Sequence, residues 1–186
     1  MERDISLATL YLETQMRYAA PMEPTPNAAA HATRLGRADA APVMAMTSLI
    51  WQVGSLLTDL LTAELDGRVG LPLGEAEVLM ATRVRGDLPT TPADLRAQLN
   101  LTSAGITKRI DQVEAKGLLE RRPHPTDRRS VTLHLTPAGV EQADETISTV
   151  AEVMVELTGD QLGAGEIAAI TDGLSKLVPR LRDIGS

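Results

Sequence analysis

Apolar side chains recur at helical spacing along most of the chain, and this pattern predicts seven helices. The helices are expected at about 4–20, 43–65, 74–84, 92–100, 103–116, 137–157 and 161–182. Residues 21–42, between the first two helices, hold four prolines and many alanines, which is typical of a linker or a loosely ordered arm. The chain is therefore predicted to be mainly α-helical.

Capping residues define the two helices in the middle of the chain. Thr91 suits an N-cap, Pro92 suits the first helical position, and Asp94 stands three residues after the cap, as in a capping box. Thr102 can cap the next helix, and Gly117 follows its end, where a left-handed residue is favoured. These signals predict two helices that are separated by a short turn.

A β-hairpin is predicted after these two helices. Leu118 and Leu119 begin its first strand, and residues 131–135 alternate apolar and polar side chains, as a half-buried strand does. The polar tip between the strands runs from Arg122 to Arg129. The order helix, turn, helix and basic hairpin predicts a winged helix-turn-helix, so the fold class is mainly α with a small β-hairpin wing in a helical dimerisation body.

Composition narrows the classes of function. Only 2% of the residues are aromatic and none is Phe, so the core must be aliphatic, which suits helix-on-helix packing. The absence of cysteine excludes disulfides, thiol catalysis and thiol redox sensing by this chain. The N-terminus lacks signal-peptide features, and no apolar run approaches the ~20 residues of a membrane span. A cytoplasmic protein without a membrane partner is expected.

The net charge of −7 is unevenly distributed. Residues 82–136 contain ten Lys and Arg against six Asp and Glu, which makes this segment +4. The rest of the chain has eight basic and 19 acidic residues, a net charge of −11. A basic middle in an acidic body is what a DNA-binding head on an acidic scaffold would show, although helical proteins often have uneven charge.

The helix that begins after Thr102 is the candidate DNA-reading element, because a helix fits the major groove and its N-terminal part faces the base edges. The side chains expected to face the groove and its phosphates are Thr102, Ser103, Thr107, Lys108 and Arg109. At the hairpin tip, Arg128 and Arg129 are suited to a neighbouring minor groove. The alternative interpretation of the basic pair at 108–109 is ordinary solvated charge.

Several motifs together resemble one known family. They are the segment from Thr102 to Leu119 (TSAGITKRIDQVEAKGLL), Arg121, the sequence Asp127-Arg128-Arg129-Ser130, and the sequence Leu135-Thr136-Pro137-Ala138-Gly139. Residues from about Val43 to Ile184 resemble the MarR family of regulators. The resemblance implies a homodimer that is held by the first helix and the last two and that places two wings across the DNA. It also implies that Asp127 supports the wing and that Arg129 enters the minor groove, with Arg128 nearby.

The same resemblance implies a small, often aromatic, acidic effector that binds between the dimer body and the reading head. Trp51 and Met80 are candidates to line such a pocket, and core packing is the more common role for each residue type. The sequence therefore predicts a sequence-specific DNA-binding regulator, a repressor relieved by a small molecule, that binds a pseudo-palindromic operator as a homodimer. No cofactor and no metal are expected.

Two other functions compete with this prediction. An enzyme is disfavoured because His31, His124 and His134 lack metal-ligand spacing, and because no phosphate-binding loop or nucleophile elbow is found. The other alternative is an adaptor that uses the winged fold for protein binding without reading DNA, which the basic hairpin tip disfavours.

The predicted organisation has four regions. They are an N-terminal helix and linker extension (1–42), a dimerisation helix (43–73), a winged helix-turn-helix DNA-binding domain (74–136) and C-terminal dimerisation helices (137–186). The first region is longer than the family resemblance requires, and an added dimer contact is the role expected for it.

Overall fold

The computed structural model describes residues 28–86, 88–127 and 130–184. The helix expected over residues 4–20 lies outside these residues. The described part divides into two compact units, one that ends at Thr149 and one that begins at Val150. The first unit contains the helix-turn-helix and the hairpin, and the second contains the end of one long helix and all of the last.

The described helices are α1 (Ala28–Arg34), α2 (Ala41–Arg68), α3 (Leu73–Arg83), α4 (Pro92–Leu99), α5 (Ser103–Ala115), α6 (Pro137–Thr158) and α7 (Ala164–Ile184). A 3-10 turn covers Ala38–Ala40, and the strands β1 (Leu119–Pro123) and β2 (Val131–Leu135) form one antiparallel hairpin. From α2 onward, each helix end lies within three residues of its predicted position. The predicted mainly α fold with a hairpin wing is confirmed.

The predicted linker is wrong for its second half, where α1 and the 3-10 turn pack against α2. The sequence of α1, AAAHATR, is rich in alanine, the residue with the highest helix propensity, and Ala32 is buried. Pro42 does not interrupt the chain, because it occupies the first turn of α2, where a missing N–H costs no helical hydrogen bond.

Helix α2 is buried only near its C-terminal end, at Leu60, Glu64 and Leu65. Its N-terminal half exposes large apolar side chains: Val43, Met44, Met46, Leu49, Ile50, Trp51, Val53 and Leu56. Together with the 3-10 turn it is long and apolar enough to cross a membrane by length and composition, so the expectation that no such stretch exists is wrong. A single helix of this kind is weak support for a span, since an interface helix has the same composition.

The helix-turn-helix core is formed by α3, α4 and α5, which contact one another pairwise. Its fully buried side chains are Val78, Leu79, Leu95, Ile110 and Val113, and each contributes about 1.5–3 kcal/mol relative to exposure. The apolar positions of each helix recur every three to four residues, so one stripe of each helix faces this core.

Both predicted helix caps in this region are present. The Thr91 hydroxyl accepts the Asp94 N–H at 3.2 Å, and the Asp94 carboxylate accepts the Thr91 N–H at 2.8 Å, which completes the capping box. The Thr102 hydroxyl accepts the Gly105 N–H at 3.1 Å. Gly117 has φ +71°, the left-handed conformation that ends α5 and turns the chain into β1.

The hairpin pairs Leu119 with Leu135 at its base and Pro123 with Val131 at its outer end. Leu133 lies in the middle of β2, is buried, and donates its N–H to the carbonyl of Thr90 at 2.7 Å. Thr90 also forms an isolated bridge to Leu133, so the segment before α4 is attached to the inner strand of the hairpin. The wing is thus fixed to the helix-turn-helix at its base.

Helix α6 begins against the turn that ends α5. The Thr136 hydroxyl accepts the Gly139 N–H at 3.0 Å and donates to the Gly117 carbonyl at 2.7 Å. The Thr136 N–H donates to the Leu118 carbonyl at 3.1 Å. A Cβ on Gly139 would lie 1.7 Å from that same carbonyl oxygen, so only glycine fits at this position. The Leu-Thr-Pro-Ala-Gly sequence therefore fixes the start of α6.

The last helix, α7, carries its apolar residues on a largely exposed face. Ile167, Ile170, Leu174, Val178 and Leu181 are all exposed in the single chain. Pro179 lies inside the helix, one turn from its end.

Candidate nucleic-acid interface

The outer face of α5 is exposed to solvent at the N-terminal end of the helix. This face contains a shallow concavity. It is lined by Ser103, Ala104, Thr107, Lys108, Asp111, Gln112 and Ala115. Small side chains at 103 and 104 leave the first turn of the helix accessible. A surface of this shape and polarity can approach base edges and phosphates of a duplex.

The hydroxyl groups of this face have defined partners. Thr102 caps the helix, and Thr107 donates its hydroxyl proton to the Ser103 carbonyl at 2.9 Å, so its oxygen remains free to accept. The Ser103 hydroxyl oxygen accepts from Nη1 of Arg96 at 3.3 Å, which brings an arginine of α4 to the start of α5. All three hydroxyl residues are exposed, as the prediction of a groove-facing turn requires.

Lys108 and Arg109, predicted as neighbours on the DNA face, have different surroundings. Lys108 is exposed, and no carboxylate partner for it occurs within the described ranges. Arg109 is half-buried and forms an ion pair with Glu77 of α3, with its guanidinium packed where a Cβ of Gly74 would stand. The structure therefore places Lys108 on the open face and Arg109 at the contact between α5 and α3.

Carboxylates pair with most of the basic side chains of residues 82–136. The pairs are Arg83–Asp144, Arg85–Asp94, Arg109–Glu77, Lys116–Glu75, Arg121–Asp111, Arg121–Glu114 and Arg122–Glu120. Among the basic residues of this stretch that the structure describes, Arg96 and Lys108 are the two without a carboxylate partner. Three of these partners, Glu75, Glu77 and Asp144, lie outside residues 82–136, so they offset part of the net charge of +4 that the sequence gives for this segment.

Arg121 of β1 links the wing to the recognition helix. Its guanidinium bonds Asp111 at 2.6 Å and also Glu114, and its backbone N–H donates to Glu114 at 3.2 Å. In the sequence, Arg121 appears only as part of the family motif, and this clamp was not predicted. The acidic residues at 111 and 114 are three residues apart on one helix face, which is a signal that could have revealed it.

Among the residues that the structure describes, Arg83 and Asp94 have perturbed pKa values, and both belong to structural contacts. The hydroxyl and N–H of Thr91, followed by the charge of Arg85, hold the pKa of the Asp94 carboxyl below its ordinary value. The hydrogen bond and charge of Asp144 raise the pKa of Arg83. Both groups stay charged near neutral pH, so they fix α4 and the end of α3 without chemistry of their own.

The tip of the wing is described up to Asp127 and again from Ser130. Arg128 and Arg129, the predicted minor-groove residues, lie outside the described residues. Asp127, the predicted wing support, accepts the Ser130 N–H through its carbonyl at 3.0 Å. Its own N–H donates to Nδ1 of His124 at 3.1 Å, a contact that sequence reasoning did not foresee.

A second concavity of about 470 Å³ lies behind the wing, bounded by the end of α3, the segment before α4, the hairpin and the start of α6. Its lining includes Arg122, His134 and Val140. The Thr132 hydroxyl lies 2.9 Å from Nε2 of His134 on the same strand. About half of the lining residues are polar or charged, so the space suits a small molecule that has both polar and apolar parts.

The predicted pocket residues Trp51 and Met80 line neither of these concavities. Trp51 is 76% exposed on α2 and Met80 is half-buried on α3, so the core packing considered for Trp51 is wrong for a single chain. Trp51 is exposed because the N-terminal half of α2 extends past the core. No group of side chains that could hold a metal ion occurs within the described residues.

Comparison with known proteins gives one consistent family. Residues 69–130 match the family model described as the MarR family. The chain is 29% identical over 103 residues to the multiple antibiotic resistance protein MarR of Salmonella typhimurium, which is 55% of this chain and 70% of that protein. It is 32% identical over 100 residues to the transcriptional repressor NicR of Pseudomonas putida, 54% of this chain and 61% of that protein.

Solved structures agree with these matches. The structure of a cysteine-to-serine mutant of MarR from Escherichia coli, complexed with operator DNA, superimposes with a TM-score of 0.64 and 27% identity. The superposition covers 75% of this chain and 98% of that chain. The similarity therefore extends beyond the residues that match the family model.

Proposed function

We propose that this chain, a member of the MarR family of winged helix-turn-helix transcriptional regulators, binds a specific double-stranded DNA operator as a homodimer and represses transcription there. The observation that carries the proposal is the open face at the start of α5. Ser103 and Thr107 offer hydroxyl groups there, and Lys108 offers a charge that no described carboxylate neutralises. A relative of the same fold has been solved in complex with operator DNA, which supports DNA binding by this chain.

The contacts at this face give its side chains different roles in the proposed DNA binding. Lys108 contacts a phosphate. Its ammonium group is a point charge with no fixed hydrogen-bond geometry, which suits a phosphate better than a base edge. Ser103 and Thr107 serve base edges or phosphates, and Arg96 steadies Ser103 from behind. Arg109 holds α5 against α3 through Glu77 and contributes to DNA binding through the position of that helix.

The homodimer is supported by apolar surface that the single chain leaves exposed. Ile50 and Val53 of α2 and Ile170 and Leu174 of α7 are each at least 40% exposed. A second copy that covers these faces would bury them by a two-fold contact, the commonest symmetry of soluble oligomers. In this proposal, residues 43–73 and 137–186 form the dimer body and residues 74–136 form the reading head.

The first experiment measures DNA binding directly. Random-sequence duplexes that are selected on the purified protein should converge on a two-fold sequence with half-sites about 10 bp apart. Lys108→Ala should weaken binding and lower the slope of log affinity against log salt by about two, since each dimer loses two phosphate contacts. Lys176→Ala is the matched control, because Lys176 is exposed on α7 and paired with Asp172.

Two results would contradict the proposal. Failure to enrich any sequence at low salt would favour the adaptor alternative over DNA reading. Equal salt slopes for wild type, Lys108→Ala and Lys176→Ala would remove Lys108 from the interface and leave the rest of the proposal standing. Analytical ultracentrifugation tests the dimer separately, and Ile50→Glu should shift the protein toward monomer at micromolar concentration.

A small acidic effector would act most directly at the concavity behind the wing, because that space touches both the hairpin and the start of α6. Aromatic carboxylates such as benzoate are the probes, with thermal stabilisation and release of the operator as the readouts. Leu88→Trp should fill the space and abolish both effects. Val84→Trp is the control, since Val84 is exposed nearby and does not line the concavity.

A further inference from the structure

The hydroxyl group of Thr107 is limited to one hydrogen-bonding role on the open face of α5. The side chain is exposed and lines the concavity of that face. Its hydroxyl proton is donated to the Ser103 carbonyl, one turn earlier, at 2.9 Å. A threonine hydroxyl has a single proton and otherwise accepts through its oxygen. Toward a ligand, Thr107 is therefore an acceptor and no longer a donor.

The helix itself holds the hydroxyl in this state. A threonine in a helix has two favoured side-chain rotamers, and one of them bonds the carbonyl four residues earlier. Thr47 and Thr62, both exposed on α2, make the same contact at 2.9 and 2.7 Å. Within the described part of the chain, no group donates a hydrogen bond to Oγ1 of Thr107. The acceptor of Thr107 is thus available to a ligand.

Ser103, one turn earlier on the same face, has the opposite polarity. Its hydroxyl oxygen accepts from Nη1 of Arg96 at 3.3 Å, so its proton remains free to be donated. Lys108, which follows Thr107, can only donate. The first two turns of the face therefore offer an acceptor at Thr107 beside donors at Ser103 and Lys108.

A duplex has few donors for such an acceptor. Phosphate oxygens are acceptors, and so are the carbonyl oxygens and the N7 atoms of the bases. The donors in the major groove are the exocyclic amino groups, N6 of adenine and N4 of cytosine. Contact with a phosphate would place Oγ1 of Thr107 against another oxygen, unless its hydrogen bond to Ser103 were broken first. The amino groups are the partners that keep this bond intact.

We propose that Thr107 is a specificity-determining residue that accepts a hydrogen bond from an amino group of adenine or cytosine in the major groove of the operator. This inference rests on the proposed function, because it requires α5 to enter that groove. It narrows the role of Thr107 to a base edge and excludes phosphate. Each half-site should then contain one position that is restricted, on one strand, to an amino-bearing base.

The first experiment selects random-sequence duplexes on the full-length protein and on Thr107→Val in parallel. Valine has nearly the shape of threonine but lacks the oxygen. Wild type should show one position in each half-site that is restricted to adenine or cytosine on one strand. Thr107→Val should lose this restriction and keep the others. Thr107→Ser retains the oxygen and should retain the restriction.

The second experiment compares affinity for the selected operator with affinity for a copy that carries a transition at that position in both half-sites. Adenine to guanine, or cytosine to thymine, puts a carbonyl oxygen in the place of the amino group. The transition should weaken wild-type binding by roughly ten- to hundredfold, since two hydrogen bonds are lost, and binding by Thr107→Val by no more than about threefold. This ratio is taken within each protein, so a change in stability cancels. Thr62→Val removes the same kind of hydroxyl from α2 and should keep the wild-type ratio.

Four results would overturn the inference, and they differ in what they leave standing. If Thr107→Val selects the same sequence as wild type at every position, Thr107 reads no base and the proposed function stands. If it weakens binding to every sequence by the same factor, the hydroxyl contacts phosphate or sugar. If the position that it loses carries guanine or thymine on the contacted strand, the hydroxyl donates on DNA and its bond to Ser103 is not kept. If wild type enriches no sequence, the proposed function fails and this inference with it.

Discussion

The contact between Gly139 and Leu118 gives the sharpest prediction about folding. Replacing Gly139 with Ala adds a Cβ that would lie 1.7 Å from the Leu118 carbonyl oxygen and 2.7 Å from its carbon. Real Cβ atoms keep about 3 Å or more from such an oxygen, so the start of α6 and the turn after α5 must separate by more than 1 Å. The obstacle is backbone on both sides, and no flexible side chain can move away.

The cost follows from the bonds that this separation breaks. The Thr136 N–H bond to Leu118 is 3.1 Å and the Thr136 hydroxyl bond to Gly117 is 2.7 Å, and neither tolerates a further ångström. Each such bond contributes about 1 kcal/mol net, and overpacking adds about 1–3 kcal/mol. Alanine recovers about 0.5–1 kcal/mol of helix propensity. The expected loss is about 2–4 kcal/mol, or roughly 5–15 °C in Tm for a chain of this size.

Urea and thermal unfolding at fixed protomer concentration measure this loss, since dimerisation would make Tm depend on concentration. Gly165→Ala is the control, because a Cβ at this position in α7 meets nothing within 4 Å. That variant should unfold within about 1 kcal/mol of wild type, on the stable side. If Gly139→Ala and Gly165→Ala differ by less than about 0.5 kcal/mol, the close approach at Leu118 is wrong.

Three further predictions concern the reading head. Thr91→Ala should lower the free energy of unfolding by about 1 kcal/mol near pH 7. Because the pKa of Asp94 is lowered in the folded state, this difference should persist above about pH 4 and shrink as the pH falls further. Urea unfolding measured at several pH values tests this. Glu77→Gln and Arg109→Gln should each lower the free energy of unfolding by about 0.5–1 kcal/mol, a modest loss because the pair is about a third exposed. A double-mutant cycle should show coupling between the two residues. Additive effects would contradict the ion pair. Arg121→Ala should weaken operator binding without changing its salt slope, because the carboxylates of Asp111 and Glu114 already hold its guanidinium. A reduced slope would contradict that role.

Local chemistry explains why the helix-turn-helix was predictable from sequence. Thr91 and Thr102 cap helices within three residues of themselves, and Gly117 adopts a left-handed conformation where the chain must turn. These signals depend on neighbours in sequence, so they survive without knowledge of the fold. The same locality explains why the alanines of α1 were misjudged, because the prolines around them carried more weight than helix propensity.

Ion pairs between residues that are far apart in the sequence could not be predicted in this way. Arg109 and Glu77 are 32 residues apart, and only the packing of α5 on α3 brings them together. In the sequence, Arg109 stands beside Lys108 and the two look equivalent. The helix turns by about 100° per residue, so Lys108 and Arg109 point to different faces. Arg109 is the one that faces α3, and it pairs with Glu77 there. A helical projection of α5 against an assumed core would have separated them.

The net charge of the reading head overstates the number of basic side chains that are free to bind DNA. The segment 82–136 is +4, yet most of its described basic residues are held by carboxylates, some of them from α3 and α6 rather than from α4 or α5. Paired guanidinium groups release few counterions on binding DNA, so the long-range attraction of one head is weaker than its charge suggests. In the proposed function, useful affinity requires two heads at once, so DNA binding depends on the proposed dimer. In the proposed dimer, selectivity against non-specific DNA follows from the acidic body and the few free cations, because neither head alone attracts a duplex strongly.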